Sequence, residues 1–348
     1  MREFKCPHCG QLSAFEDSEC DRCKQRLMFD PENMAMVGLE SALECANRNI
    51  IGCNWRAVAS APYCLSCSLT QVIPSTQNTQ NVSLWTRVEE AKRRLIYDLR
   101  RLRLPIASAG GFQLAFEILS DEHGPVLTGH ESGLITVNLA EADDVQREIR
   151  RVSFREPYRT LLGHFRHEIG HFYWNALVHE GGFLSPFRLV FGDETENYPA
   201  ALAAYYARQD RSDDPTSHIS MYATSHPWED WAETFAHFLH IVSTLDSLAG
   251  LPLSLDARAQ HTLNDPYLES DFGALLELWA PLALTINRLN RSLGLADAYP
   301  FDISLAVKGK LHLVHMSISA FRNRKESRER GRLSIARSCI GSARASGA

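Results

Sequence analysis

Residues 166–171 read Arg166-His167-Glu168-Ile169-Gly170-His171 and contain the pattern H-E-x-x-H. On a helix, positions four apart share a face, so His167 and His171 can aim two imidazole nitrogens at one point. Glu168, one step round, can reach a water beside whatever those nitrogens hold. Two neutral nitrogen donors suit Zn²⁺, and a carboxylate near the metal but outside its ligand set can serve as general base. This is the chemistry of a zinc hydrolase. A catalytic zinc normally takes a third protein ligand and leaves one position for water. After His171 the chain reads Phe172-Tyr173-Trp174-Asn175, so the third donor comes from elsewhere. Carboxylates stand in two places: Asp193 and Glu194 in one, Glu229 and Glu233 in the other.

A second chemistry lies upstream. Cys6-Pro-His-Cys9 and Cys20-Asp-Arg-Cys23 are two C-x-x-C knuckles on either side of a short hairpin, the spacing of a Cys₄ zinc ribbon. Gly10 suits the turn that brings amides to the sulfurs. So short a segment buries no core of its own, and the metal supplies most of its folding energy. Cys45, Cys53, Cys64 and Cys67 form a second, irregular Cys₄ set, with two buried thiols as the bland alternative for Cys45 and Cys53. Eight of the nine cysteines precede residue 70. With no apolar leader after Met1, this clustering reads as metal binding in a reducing, cytoplasmic setting. Cys339 has no partner in sequence.

The elements that must position these groups follow from periodicity. Thr70 to Asn81 reads as a polar linker. A helix is expected from Ser83 to Leu104, with Leu84, Val88, Ala91, Leu95, Leu99 and Leu102 facing a core. Its other face carries Arg87, Lys92, Arg93, Arg94, Arg100, Arg101 and Arg103, read as solvated, and Pro105 ends it. Phe112, Leu114, Phe116 and Ile118 alternate as a strand, as do residues 134–139. Leu161, Leu162, Phe165, Ile169 and Phe172 give the metal helix an apolar face, with Pro157 in its first turn. Gly170 costs about 1 kcal/mol against alanine and is expected to leave room beside the metal. Pro227 opens another helix, on which Glu229 and Glu233 share a face. Residues 254–300 read as packed helix. Past Phe321, arginines among Ser, Gly and Ala read as a disordered, solvated tail.

At 348 residues, 45% hydrophobic and 22% charged, the chain has the composition of a globular protein. A formal net charge of −6 argues against nucleic acid as chief partner. No run of about 18 apolar residues occurs, so no membrane span is expected.

The pair of helices resembles the gluzincin arrangement. Carried over, that resemblance makes Glu229 the third zinc ligand and gives Glu233 the task of holding a ligand histidine. Glu233, Asp193 and Glu194 remain alternatives for the ligand. The whole chain resembles a bacterial family of zinc-binding metallopeptidases with N-terminal zinc ribbons. The resemblance rests on the paired ribbons, Cys53-Asn54-Trp55, Trp85, residues 91–95, residues 141–144, residues 167–171, residues 191–194, Tyr222-Ala223, residues 226–233 and residues 290–294. It implies an α+β, zincin-like domain, a small sheet plus metal-binding helices, preceded by Cys₄ ribbons. The expected division is 1–27 ribbon, 28–75 second Cys₄ segment and linker, 76–320 metallopeptidase domain and 321–348 tail. It also implies one catalytic zinc, one or two structural zincs and a peptide or protein substrate. In zincins an edge strand pairs with the substrate backbone, and residues 129–133 with the strand after them are the candidate. Glu168 is then the general base for a zinc-activated water, and Tyr222 and His226 are candidate oxyanion donors. Their plainer roles are a packed tyrosine and an N-cap histidine. The contrasting reading is a catalytically silent ribbon module that binds protein or nucleic acid.

Overall fold

The first knuckle forms the turn of one short hairpin, and a second hairpin follows the second knuckle. In this computed structural model, which describes residues 2–106, 111, 113–154, 158–208, 216–250 and 265–345, β1 (Phe4–Lys5) pairs antiparallel with β2 (Leu12–Ser13), and β3 (Met28–Asp30) with β4 (Ala35–Val37). Gly10 turns the first knuckle at φ 73°, and its amide reaches Cys6 O at 3.0 Å. Lys24 does the same in the second knuckle at φ 57°. The second cysteine segment holds α1 (Arg48–Ile51). Asn54 Nδ2 donates to Phe15 O at 2.6 Å, and the rings of Phe15, Phe29 and Trp55 interlock. The two cysteine segments therefore share one core, which continues into Tyr97.

The main sheet has the order β5 (Thr70–Val72), β6 (Ala115–Leu119), β8 (Leu134–Asn138), β7 (Gly129–Glu131). Strands β5, β6 and β8 are parallel, and β7 runs antiparallel along β8 at the edge. The polar stretch read as a linker thus begins with a strand of the main sheet. Parallel pairing of β5 with β6 needs a crossover, and α2 (Thr79–Arg101) supplies it, capped by Asn78 Oδ1 on the Gln80 amide.

Helix α2 corrects the expectation of a solvated basic face. Lys92 and Arg93 are buried, as are Glu89 and Asp98. Lys92 Nζ donates to Glu89 Oε1 at 2.9 Å, and Thr70 Oγ1 donates to the same oxygen at 2.7 Å. A counter-charge inside the fold, not water, satisfies the Lys92 ammonium.

After α3 (Asp144–Phe154) comes α4 (Leu161–Tyr173), which continues as a π-helical stretch, Trp174–His179. Thr160 caps α4, Oγ1 accepting from the Gly163 amide at 3.0 Å. The helix therefore starts later than Pro157, which lies outside the described residues, as does Phe112. Helices α5 (Leu184–Phe191), α6 (Tyr198–Ala207), α7 (Pro227–Ala249), α8 (Phe272–Ser292) and α9 (Leu305–Ala345) complete the body. Of the stretch read as packed helix, 254–264 lies outside the described residues.

A Cβ on Gly170 of α4 would sit 2.8 Å from Ala232 Cα of α7. The glycine makes room for a helix, not for the metal. Trp231 Nε1 donates to Gly170 O at 2.9 Å and fixes the crossing. The segment expected as a disordered tail is instead helical, since α9 runs on to Ala345. Near its middle it packs on the body: Arg322 donates to Tyr267 O, Arg324 to Gly181 O at 2.8 Å, and Glu326 pairs with Arg103 at 2.6 Å.

Candidate active site

Helices α4 and α7 bring three donors together. His167 Nε2 and His171 Nε2 stand 3.2 Å apart, with Glu229 Oε2 at 3.0 Å from the first and 3.4 Å from the second. A tetrahedral zinc with bonds of about 2.0–2.1 Å spaces its donors by roughly 3.3 Å. The triangle has that size. Glu229 Oε2 is buried and accepts no hydrogen bond, so the site presents acceptors converging on one point. A divalent cation satisfies such a set, and the residues fit zinc.

Each donor is held from behind. His167 Nδ1 lies 2.7 Å from Glu233 Oε1, which fixes the ring and leaves Nε2 for the metal. Ser220 Oγ donates to Glu233 Oε2 at 2.6 Å. Against burial, these bonds and the His167 charge pull Glu233 down to about 2. Burial would lower His167, but Glu229 and Glu233 outweigh it and hold its pKa well above the usual range. Metal binding there displaces a proton. Tyr198 O–H donates to Glu229 Oε1 at 2.6 Å, a role the sequence did not disclose. The Asn197 cap and Pro199 mark a helix start in sequence, yet nothing local aims Tyr198 at Glu229, which lies 31 positions on. Trp228 packs its ring 3.9 Å from that of His171.

Glu168 and His167 open onto a cavity of about 730 Å³, together with Glu233, Ser220 and Tyr222. Burial raises the Glu168 carboxyl above its usual pKa, against the pull of His167 and His171. Tyr222 lies with its ring 5.7 Å from that of His167, and its hydroxyl makes no hydrogen bond among the described residues. Burial raises its pKa, so it keeps its proton at neutral pH.

His226 behaves differently. Its Nδ1 accepts from the Trp228 amide at 3.1 Å, and its Nε2 donates to Glu196 O at 3.2 Å. It is the N-cap of α7, with both nitrogens committed to the backbone and neither free for an oxyanion. Asp193 turns its own loop through the Thr195 amide at 2.9 Å, and Glu194 pairs with Arg188 at 2.9 Å. Neither joins the histidines. Of the expected edge, residues 129–131 form β7 at the rim of the sheet, but the strand after them, β8, lies inside it between β6 and β7. The His130 ring lies 6.3 Å from that of His171.

The cysteines gather as two tetrads, Cys6 with Cys9, Cys20 and Cys23, and Cys45 with Cys53, Cys64 and Cys67. Sulfurs stand 3.7 Å (Cys6–Cys23) and 3.6 Å (Cys9–Cys20) apart in the first tetrad. In the second they stand 3.6 Å (Cys53–Cys64) and 3.8 Å (Cys53–Cys67) apart. Zn–S bonds of about 2.3 Å imply tetrahedral edges of roughly 3.8 Å. The buried-thiol alternative for Cys45 and Cys53 does not account for this convergence. The side chain of Cys339 lies outside the described residues.

A mixed sheet with an antiparallel edge, lying against an H-E-x-x-H helix that a glutamate helix crosses, belongs to the zinc-binding metallopeptidase class. The chain is a member of the family described as "Putative zinc-binding metallo-peptidase", matched over residues 81–317. A zinc-ribbon domain matches residues 3–78 and takes in both tetrads. Three relatives, one from Mycobacterium bovis and two from Mycobacterium tuberculosis, are each 44% identical over 325 residues, covering 90% of this chain and 94% of the relative. All three carry the name uncharacterized protein. No solved structure matches the chain. Among the described residues, no helix is long and apolar enough to cross a membrane.

Proposed function

We propose that the protein is a gluzincin-like zinc metallopeptidase that hydrolyses peptide bonds, with His167, His171 and Glu229 as ligands of the catalytic zinc. The observation that carries this reading is the triangle of three donors, 3.0 to 3.4 Å on a side, beside a cavity that Glu168 lines. When bound, zinc supplies Lewis acidity, lowering the pKa of a water to about 7. Glu168 takes the proton of the attacking water and passes it to the leaving nitrogen, a task its raised pKa suits. The Tyr222 O–H donates to the oxyanion that develops on the carbonyl. Glu233 orients His167 and stabilises the charge it takes on when ligated. The free edge of β7 receives the substrate backbone as an added strand. Both tetrads are structural zinc sites, and their thiolates favour a reducing, cytoplasmic setting.

Zinc content tests the ligand set. The purified chain is expected to hold three zinc ions, one for each donor cluster, and Glu229→Ala is expected to hold two. Two ions in the native chain, with the histidines empty, would favour the ribbon-only binding module instead.

A further inference from the structure

One end of the cavity differs in character from the rest. At the end of α4 nearest its cap lies Gly163, four positions before His167, and on α7 lies Ala236, three after Glu233. Because His167 Nδ1 and Glu233 Oε1 touch at 2.7 Å, both small residues sit about one helical turn, roughly 5.4 Å, from that contact. They floor a recess whose walls are Tyr158, Phe301, His237 and His240, and all six line the cavity.

The walls form one connected set. The Tyr158 ring lies 5.5 Å from His240 and 5.9 Å from Phe301, and Phe301 lies 4.3 Å from His237. Both imidazoles are tied on the far side. Arg166 Nη1 donates to His240 Nδ1 at 2.6 Å, and His237 Nδ1 pairs with the Tyr299 hydroxyl at 2.9 Å. Burial, against Glu233, pushes His237 down to about 4; burial, then Arg166 and His237, pushes His240 well below its usual range. At neutral pH neither is charged. Gly163 keeps the space between the walls unfilled: a Cβ there would meet Thr160 Oγ1 at 3.0 Å, Tyr158 Cε1 at 3.5 Å and His240 Nε2 at 3.8 Å.

Resting on the peptidase reading, we infer that this recess is a specificity pocket that takes a large uncharged side chain, preferably aromatic, from a residue beside the scissile bond. The six residues bring no formal charge to it, and Glu233, about one turn from the floor, has its two oxygens engaged by His167 and Ser220. A carboxylate or ammonium entering the recess therefore loses its water without gaining an unengaged counter-ion. An aromatic ring instead finds ring edges and faces at stacking distance and buries apolar area. Of the other charged groups that line the cavity, Arg159 and Arg150 both bind Glu141.

The test measures binding, so that turnover plays no part. Zinc-loaded Glu168→Gln protein is titrated in a calorimeter with blocked alanine pentapeptides carrying phenylalanine, glycine or aspartate at the centre. The phenylalanine peptide is expected to bind at least about tenfold more tightly than the glycine peptide, and the aspartate peptide weakest. Adding Ala236→Leu fills the floor and brings the phenylalanine peptide down to the glycine level, while the glycine peptide binds as before. Phe301→Ala also weakens the phenylalanine peptide selectively. Equal binding of all three peptides, tightest binding of aspartate, no binding of any, or an equal loss for all three in Ala236→Leu at unchanged zinc content overturns the inference. Failure of the native protein to hydrolyse any peptide counts against the peptidase reading and leaves this binding comparison standing.

Discussion

At the scale of single residues, the proposed metal cluster is built in two layers, and the sequence disclosed the first layer and only part of the second. His167, Glu168 and His171 announce themselves because a helix converts a spacing of four into a shared face. Glu229 and Glu233 follow by the same rule on α7, and Glu233 Oε1 lies 2.7 Å from His167 Nδ1. Tyr198 was not legible, since its contact with Glu229 is tertiary. A phenol that donates to one carboxylate oxygen leaves the other aimed at the metal and limits the carboxylate's rotation. Removing that hydrogen bond in Tyr198→Phe is expected to weaken zinc binding at this site about 10- to 100-fold. Competition with a chromophoric chelator reads this directly, while zinc in the cysteine tetrads stays in place. Unchanged affinity of the third zinc would show that Tyr198 does not position Glu229. Tyr222 and His226 show the converse limit. Both precede α7 in sequence, but only the structure separates a free phenol facing the cavity from an imidazole whose nitrogens are both taken by the backbone.

At the scale of elements, the site depends on how closely α4 and α7 approach. Gly170 and Ala232 form the contact, and backbone faces backbone there. Alanine at position 170 gains about 1 kcal/mol in helix propensity but overpacks the crossing, at a cost of about 1–3 kcal/mol. The obstructing atom is a Cα, 2.8 Å away, not the end of a flexible chain. Packing therefore outweighs propensity. Gly170→Ala is expected to lower the melting temperature and to weaken the third zinc, because separating the helices moves Glu229 off the histidines. A raised melting temperature would contradict this account of the crossing. Periodicity found the apolar faces of both helices, and the alternation at Leu114, Phe116 and Ile118 found β6. It missed β5, since Thr70-Gln71-Val72, three residues at the head of a polar stretch, take their strand state from pairing with β6. It also misread α2, because a lysine buried against Glu89 looks in sequence like one facing water.

At the scale of the whole molecule, the ribbons and the metallopeptidase domain are one packed body. Arg2 binds Asp246 at 2.8 Å, and Asp246 lies on the helix that carries Glu229 and Glu233. Tyr97 donates to the same carboxylate at 3.1 Å. The second tetrad runs directly into β5 of the main sheet. Among the described residues, those lining the cavity all come from position 121 onward, so the ribbons brace the scaffold from outside the cavity. The expected boundary near residue 75 is therefore a change of composition rather than a break in packing. Cysteine spacing found both tetrads, but no sequence rule places them relative to the cavity. The central claim, zinc-dependent hydrolysis with Glu168 as base, is tested most directly by assaying peptide cleavage and zinc content of the native chain beside Glu168→Gln. The account predicts three zinc ions in both and a loss of cleavage on the order of 10²- to 10⁴-fold in the variant. Cleavage by Glu168→Gln at the native rate, with its zinc intact, would contradict it.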